Sequence, residues 1–289
     1  MPLTRPRRSL PLPTELPEAV VAGNVKTYTL EKDTVLSTYI YDKENKTVIN
    51  LNGHDLTVDT TQMSQAGWAA IYNGAGVTIN GNGAETLTLK SDTNGILLGY
   101  GQSEVSIDGV KIVYNDNDSE TSTTAIQIAN NSKNSKLTIT NSSITSDSYA
   151  ISVNGNLGTS NSAGCAEIKL ENVDITGGKS TAVYLAGNNN TTMTNCNVTS
   201  ATSSAVEIRA GSLTIDGGSL TSTAQFADES DGGGTETKGV ALAVAEHYPA
   251  DTHVNTVKVT GTTLSGARAV LVKDSSNTAL NTATVTLSG

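Results

Sequence analysis

The stretch Ala205–Leu220, AVEIRAGSLTIDGGSL, contains both patterns from which the chain is built. The first is a small residue followed by two aliphatics that flank a variable position, here Ala205-Val206-Glu207-Ile208. The second alternates aliphatics, meets Gly or Asn, and returns to an aliphatic three positions later, here Leu213, Ile215, Gly217 and Leu220. Outward from this stretch, the first pattern recurs at Gly95–Leu98, Ala125–Ile128, Ala150–Val153, Ala182–Leu185, Ala241–Val244 and Ala269–Val272, with a weaker copy at Ala70–Asn73. The second recurs at Ile49/Leu51/Gly53/Leu56, Val105/Ile107/Gly109/Ile112, Leu137/Ile139/Asn141/Ile144, Ile168/Leu170/Asn172/Ile175 and Val257/Val259/Gly261/Leu264. Thr191/Met193/Asn195/Val198 is a degenerate copy, Val77/Ile79/Gly81 opens one that meets Ala84, and Val285/Leu287/Gly289 stands last. Successive first-pattern copies lie 23 to 36 residues apart, so the unit is constant while its loops vary.

Aliphatics at a period of two make strands with one buried face. A position held only by Gly or Asn is a corner in the left-handed backbone region, which those residues tolerate best. One such unit cannot bury its inner face, but stacked units can, which is the logic of a solenoid. No window carries a helical period, a propeller needs longer blades, and the ladder of leucine-rich repeats is absent. The expected fold is therefore all-β: a right-handed parallel β-helix (solenoid) of about nine coils, a rod on the order of 40 Å long. It is expected to occupy 23–289 as one domain, after a leading segment 1–22 read as linker, pro-segment or sequence left by cloning. The last coil carries no polar capping unit, which predicts a longer parent protein or a partner over that end.

Composition agrees with an aliphatic core. Hydrophobic residues make up 36%, charged residues only 16%, and the rings are one Trp, one Phe and nine Tyr. An excess of 28 acidic over 18 basic residues gives a net charge of −10, which argues against nucleic acid and anionic membrane as partners. No apolar run approaches the roughly 20 residues of a spanning helix. Cys165 and Cys196 are too few for a disulfide scaffold; they are read as separate thiols or, alternatively, as a bridge between adjacent coils, which the sequence leaves open. Met1–Pro17 carries Arg5, Arg7 and Arg8 without the apolar run of a complete signal peptide.

On Ala205–Leu220 and Val48–Val58 (VINLNGHDLTV), the repeat resembles the pectate-lyase-like β-helix superfamily, and within it surface adhesins more than enzymes. The nearest analogues are pertactin-like autotransporter passengers and the β-helix domains of Gram-positive surface proteins. The resemblance covers about residues 26–289. It implies a bacterial protein that is secreted or held at the cell surface.

Enzymes of that superfamily place carboxylates, Lys and Arg on the outer face of neighbouring coils. The outward column of the first-pattern strands is expected to read Tyr72, Leu97, Gln127, Ser152, Tyr184, Glu207, Ala243 and Leu271. Only Glu207, with Arg209 two residues on, is charged; Tyr184 and Ala243 flank it, so no carboxylate pair forms. Glu207 and Arg209 are read as a surface ion pair. The Asn-Thr-Asp, Asp-Asp and Arg-Ile-Lys signatures of polygalacturonases are missing, and Gly53-His54-Asp55 does not match their Gly-His-Gly. No catalytic residue, metal site or cofactor is expected.

Binding is expected on loops, where rigid scaffolds carry recognition residues. Thr221–Gly239 holds Asp228, Glu229 and Asp231, and Ala245–Thr256 holds His247 and His253; together they predict an acidic contact surface. Trp68, Tyr72, Leu97 and Tyr100 cluster in the first coils, either as edge packing or as a partner-binding patch. The first expectation for function is a non-enzymatic extracellular adhesin or stalk that binds a protein or glycan on a cell surface. The second is a carbohydrate-active or carbohydrate-binding β-helix with a site at Glu207, Tyr184 and Arg209. A more distant third is an ice-binding solenoid, from outward Thr78, Thr138, Thr214 and Thr286, although Lys169 and Lys258 interrupt that column.

Overall fold

A computed structural model of the chain describes residues 15–63, 67–72, 74–99, 103–116, 123–129, 134–153, 165–228, 237–245, 255–273 and 283–289, with the backbone alone at 116 and 228. Each second-pattern copy before the last forms a strand, a corner and a second strand, and the last, at Val285, forms one strand. In Lys136–Ser146 (KLTITNSSITS) the alternating Leu137, Ile139, Ile144 and Ser146 are buried, and the residues between them face outward or sit at the corner. Its partners lie in register in the coils before and after. Leu137 pairs with Val105 on one side and Ile168 on the other, in parallel. Like side chains therefore stack from coil to coil at about 4.8 Å.

The first-pattern strands form a separate parallel sheet, nine strands among the described residues, running from Ile40–Tyr41 to Arg268–Lys273. Its inner column is Ile40, Ile71, Ile96, Ile126, Ile151, Val183, Val206, Leu242 and Val270. The second-pattern strands belong to a larger sheet, and the two sheets enclose one apolar core. The fold is the expected right-handed parallel β-helix. Ordinary sheet aliphatics are hidden almost completely here, each contributing about 1.5–3 kcal/mol by leaving water.

The corners follow the Gly/Asn rule. Asn141, Asn172 and Asn195 have φ of 50°, 55° and 51°, and Gly109, Gly217 and Gly261 are left-handed too. Their side chains form a ladder: Asn195 Nδ2 donates to Asn172 Oδ1 (3.4 Å), and Asn172 Nδ2 to Asn141 Oδ1 (3.2 Å). The ladder ends when Asn141 Nδ2 donates to Asp108 Oδ1 (2.9 Å). Together with the Thr140 hydroxyl, that amide holds the Asp108 carboxyl below its ordinary value.

Three features differ from the sequence reading. Val20–Ala22, placed in the leading segment, form a strand antiparallel to Val25–Thr29, because a turn at Gly23 (φ 60°) folds the branched residues back onto the first coil. The copy at Ile49 is two residues out of register: Ile49 pairs with Ile79, which pairs with Ile107, so Leu51 takes the place that Gly109 takes later. The copy at Gly81 is a longer turn, with its positive φ at Gly83 (91°) instead of Gly81. Glu85 fills that turn, its carboxylate accepting N–H bonds from Asn82 and, one coil back, Gly53, both at 2.8 Å. Cys165 and Cys196 are free thiols, and burial raises both above the ordinary cysteine value.

Two outcomes follow. Asn172→Val forces a β-branched residue into left-handed backbone and cuts two rungs of the ladder, so chemical denaturation should show a loss of about 2 kcal/mol, with Asn172→Gly milder. The amides on Glu85, first that of Asn82, lower its carboxyl pKa below 4.5. A depressed carboxylate stabilises fully above its unfolded value and loses that contribution as pH falls through the folded one. The Asn82 and Gly53 amide resonances should accordingly titrate together, with a midpoint below pH 4.5, and Glu85→Gln should abolish the transition.

Candidate binding surface

The outer face of the nine-stranded sheet changes character along the rod. In register, its outward column is Tyr41, Tyr72, Leu97, Gln127, Ser152, Tyr184, Glu207, Ala243 and Leu271. The order matches the sequence reading, with Tyr41 added at its head. The exposure does not match. Leu97, Ser152, Tyr184, Glu207 and Ala243 are buried.

Glu207 and Arg209 are consequently not a surface pair. Arg209 Nε donates to Glu207 Oε1 at 2.7 Å, and both side chains are wholly shielded from water. The other carboxylate oxygen accepts from the Thr237 hydroxyl (3.0 Å) and the Thr237 amide (3.2 Å). Thr237 belongs to a short antiparallel hairpin, Ala227–Asp228 with Thr237–Lys238, that the long connection lays back on the sheet. A buried carboxylate needs such partners, and the connection supplies them. Arg209 also lies over the Tyr184 ring, 5.6 Å from its centroid. Glu207, Tyr184 and Arg209, expected to face outward together, are instead buried.

The exposed end of the column is aromatic. Tyr41 and Tyr72 are cross-strand partners, and their rings stack at 5.5 Å with 9° between planes. Trp68 tilts against Tyr72 at 6.1 Å, and Tyr39 stands edge-on to Tyr41 at 6.4 Å and 73°. Tyr39, Tyr41 and Trp68 are 40%, 50% and 53% exposed. Three of the nine tyrosines and the only tryptophan thus share one patch, in a chain where rings are scarce. With Gly67 and Ala69 they line an open groove of about 350 Å³.

The backbone on either side is pinned. Thr93 Oγ1 donates to Gly67 O (2.9 Å), and Asn94 Nδ2 donates to Trp68 O (3.2 Å) from the next coil. After Tyr41, Asp42 takes Lys26 Nζ at 2.7 Å and the amides of Asn45 (2.9 Å) and Glu44 (3.0 Å). The Lys26 contact, followed by these amides, holds the Asp42 carboxyl far below the usual carboxylate range. Gly67 sits beside the Tyr39 ring, where an added Cβ would meet Tyr39 Cδ1 at an ordinary contact distance of 3.4 Å.

Of the residues singled out from sequence, Tyr72 and Leu97 are neighbours in the column, Tyr72 in the patch and Leu97 buried beneath its surroundings. Asp228 is placed by its backbone in the hairpin, whereas Tyr100, Glu229, Asp231, His247 and His253 lie outside the described residues. Tyr39 and Tyr41 were missed because a tyrosine stands where the first pattern has a small residue. The interval held the signal, since Ile40 precedes Ile71 by 31 residues, within the range of the other copies.

The threonine reading also shifts. Thr78, Thr138, Thr214 and Thr286 do share a column, broken by Lys169 and Lys258. A fuller one, Thr57, Thr88, Val113, Thr145, Thr176, Thr199 and Thr221, follows the corners. Lys111 and Asp174 stand in the outward column beside it, so no uniform hydroxyl array forms. Among the described residues, no helix is long and apolar enough to cross a membrane. Comparison of the chain with protein-family models, with curated proteins and with solved structures gives no match.

Arg209→Leu should leave the Glu207 carboxylate buried with one strong partner fewer. Equilibrium unfolding in urea should show a loss of about 3–5 kcal/mol, far above the effect of removing an exposed ion pair.

Proposed function

We propose that this chain is a non-enzymatic binding rod, an adhesin or stalk domain displayed outside a bacterial cell, that meets its partner through the patch of Tyr39, Tyr41, Trp68 and Tyr72. The observation that carries this reading is the concentration of half-exposed rings on one rigid stretch of parallel sheet. Rigid amphipathic rings provide large contact area at small entropic cost, which is why Trp and Tyr dominate binding hot spots. The repeat's likeness to pectate-lyase-like and pertactin-like β-helices supports the surface setting, and the acid excess supports a partner that is neither nucleic acid nor anionic lipid.

The test is binding of the fluorescently labelled chain to intact bacterial and epithelial cell surfaces. Trp68→Ala with Tyr72→Ala should reduce retention by about tenfold or more with the far-ultraviolet circular dichroism unchanged. Replacing 229–236 by a short Gly-Ser link should leave retention intact. The reverse result, with loss on the loop change alone, would move the site to the acidic loops around Asp228 and His247.

A further inference from the structure

The lining of the aromatic groove restricts what it accepts. None of Tyr39, Tyr41, Gly67, Trp68, Ala69 and Tyr72 carries a charge, in a protein whose net charge is −10. An anionic ligand meets no cation here and is repelled by the whole. Of the charges that follow Tyr41, Asp42 is engaged with Lys26 at 2.7 Å, while Lys43 and Glu44, exposed and of opposite sign, lie outside the lining. Tight recognition of a quaternary ammonium ligand uses a cage of several ring faces turned inward on a gap. The two parallel rings here lie against each other, 9° apart in plane and 5.5 Å between centroids, which leaves no such gap.

The lining is also two-sided in chemistry. Ring faces offer apolar surface, while the hydroxyls of the half-exposed Tyr39 and Tyr41 offer hydrogen bonds. A purely apolar ligand would strip water from those groups without replacing it. A pyranose has a complementary pair of surfaces, with C–H groups on its faces and hydroxyls around its edge. The groove is open and, at about 350 Å³, near the lower limit of small-molecule sites. An open groove cannot enclose a small ligand, so affinity has to come from contact spread over several linked units. The stacked tyrosines belong to adjacent coils and are held in register by the sheet, so the platform follows the rod axis.

We propose that this groove binds a neutral glycan chain, its pyranose rings resting on Trp68 and the Tyr41/Tyr72 pair. This rests on the patch being the partner site and adds the ligand's chemical class. The four rings are held by sheet register and by the bonds at Gly67, Trp68 and Asp42, so little ordering remains to be done on binding.

The chain contains a single tryptophan, and it lies in the groove, so tryptophan emission reports on this site alone. The intact chain is titrated with cellohexaose, xylohexaose, mannohexaose and chitohexaose, and separately with polygalacturonate and with choline chloride. At least one neutral oligosaccharide should shift the emission to the blue and saturate. Tyr41→Ala should weaken that response by about tenfold or more, Tyr41→Phe should retain it, and both variants should melt with the parent because the ring is half exposed. Silence with all four neutral glycans overturns the proposal, as does a saturable response to choline or polygalacturonate alone, or a glycan response unchanged in Tyr41→Ala. If the neutral glycans fail while Trp68→Ala with Tyr72→Ala still abolishes retention on cells, the ligand class is wrong and the patch stands.

Discussion

Every coil of this protein depends on hydrogen bonds made to its neighbours. Strands such as Val183–Leu185 are only three residues long, too short to be stable alone, and each is held because it pairs in register above and below. That pairing brings equivalent positions of successive coils into columns. An inner column must then hold aliphatics of similar size, and a corner must hold Gly or Asn. Outward columns are released from this rule, so chemical variety collects there.

The same constraint explains both special features of the nine-stranded sheet. Because the column is continuous, Tyr41 and Tyr72 fall face to face as cross-strand partners. Further along the column the Thr237 connection lies over the sheet and turns Glu207 from a surface position into a core one. One column thus supplies an exposed aromatic surface at one end and a polar clamp near the other. The clamp fixes where the connection lies, and the connection decides which outward residues are covered.

What was legible in the sequence is what neighbouring coils impose on one another. The Ile96–Ile126–Ile151 column and the corners at Asn141, Asn172 and Asn195 repeat closely enough to be seen without a structure. The burial of Glu207 and Arg209 was not legible, since their local pattern matches that of an exposed strand and the cover comes from 30 residues further on. The early coils were read less well for a related reason. Their corners are longer, and Glu85 replaces by a carboxylate what the later turns achieve with an asparagine ladder, so their spacing departs from the repeat. The aromatic patch was seen in part through Trp68 and Tyr72, and its other half was hidden by the bulky residue at Tyr39.

The direction of the inter-coil bonds has a mechanical consequence. They run along the rod, so tension applied between its ends loads them one coil after another instead of all together. Coils then detach singly from an end, each at modest force. A released coil of 23 to 36 residues extends by roughly 80–120 Å of chain. A rod built this way yields under a sudden pull by lengthening in steps, dissipating the load while the aromatic groove, held within its own coils, keeps its shape until the unravelling reaches it.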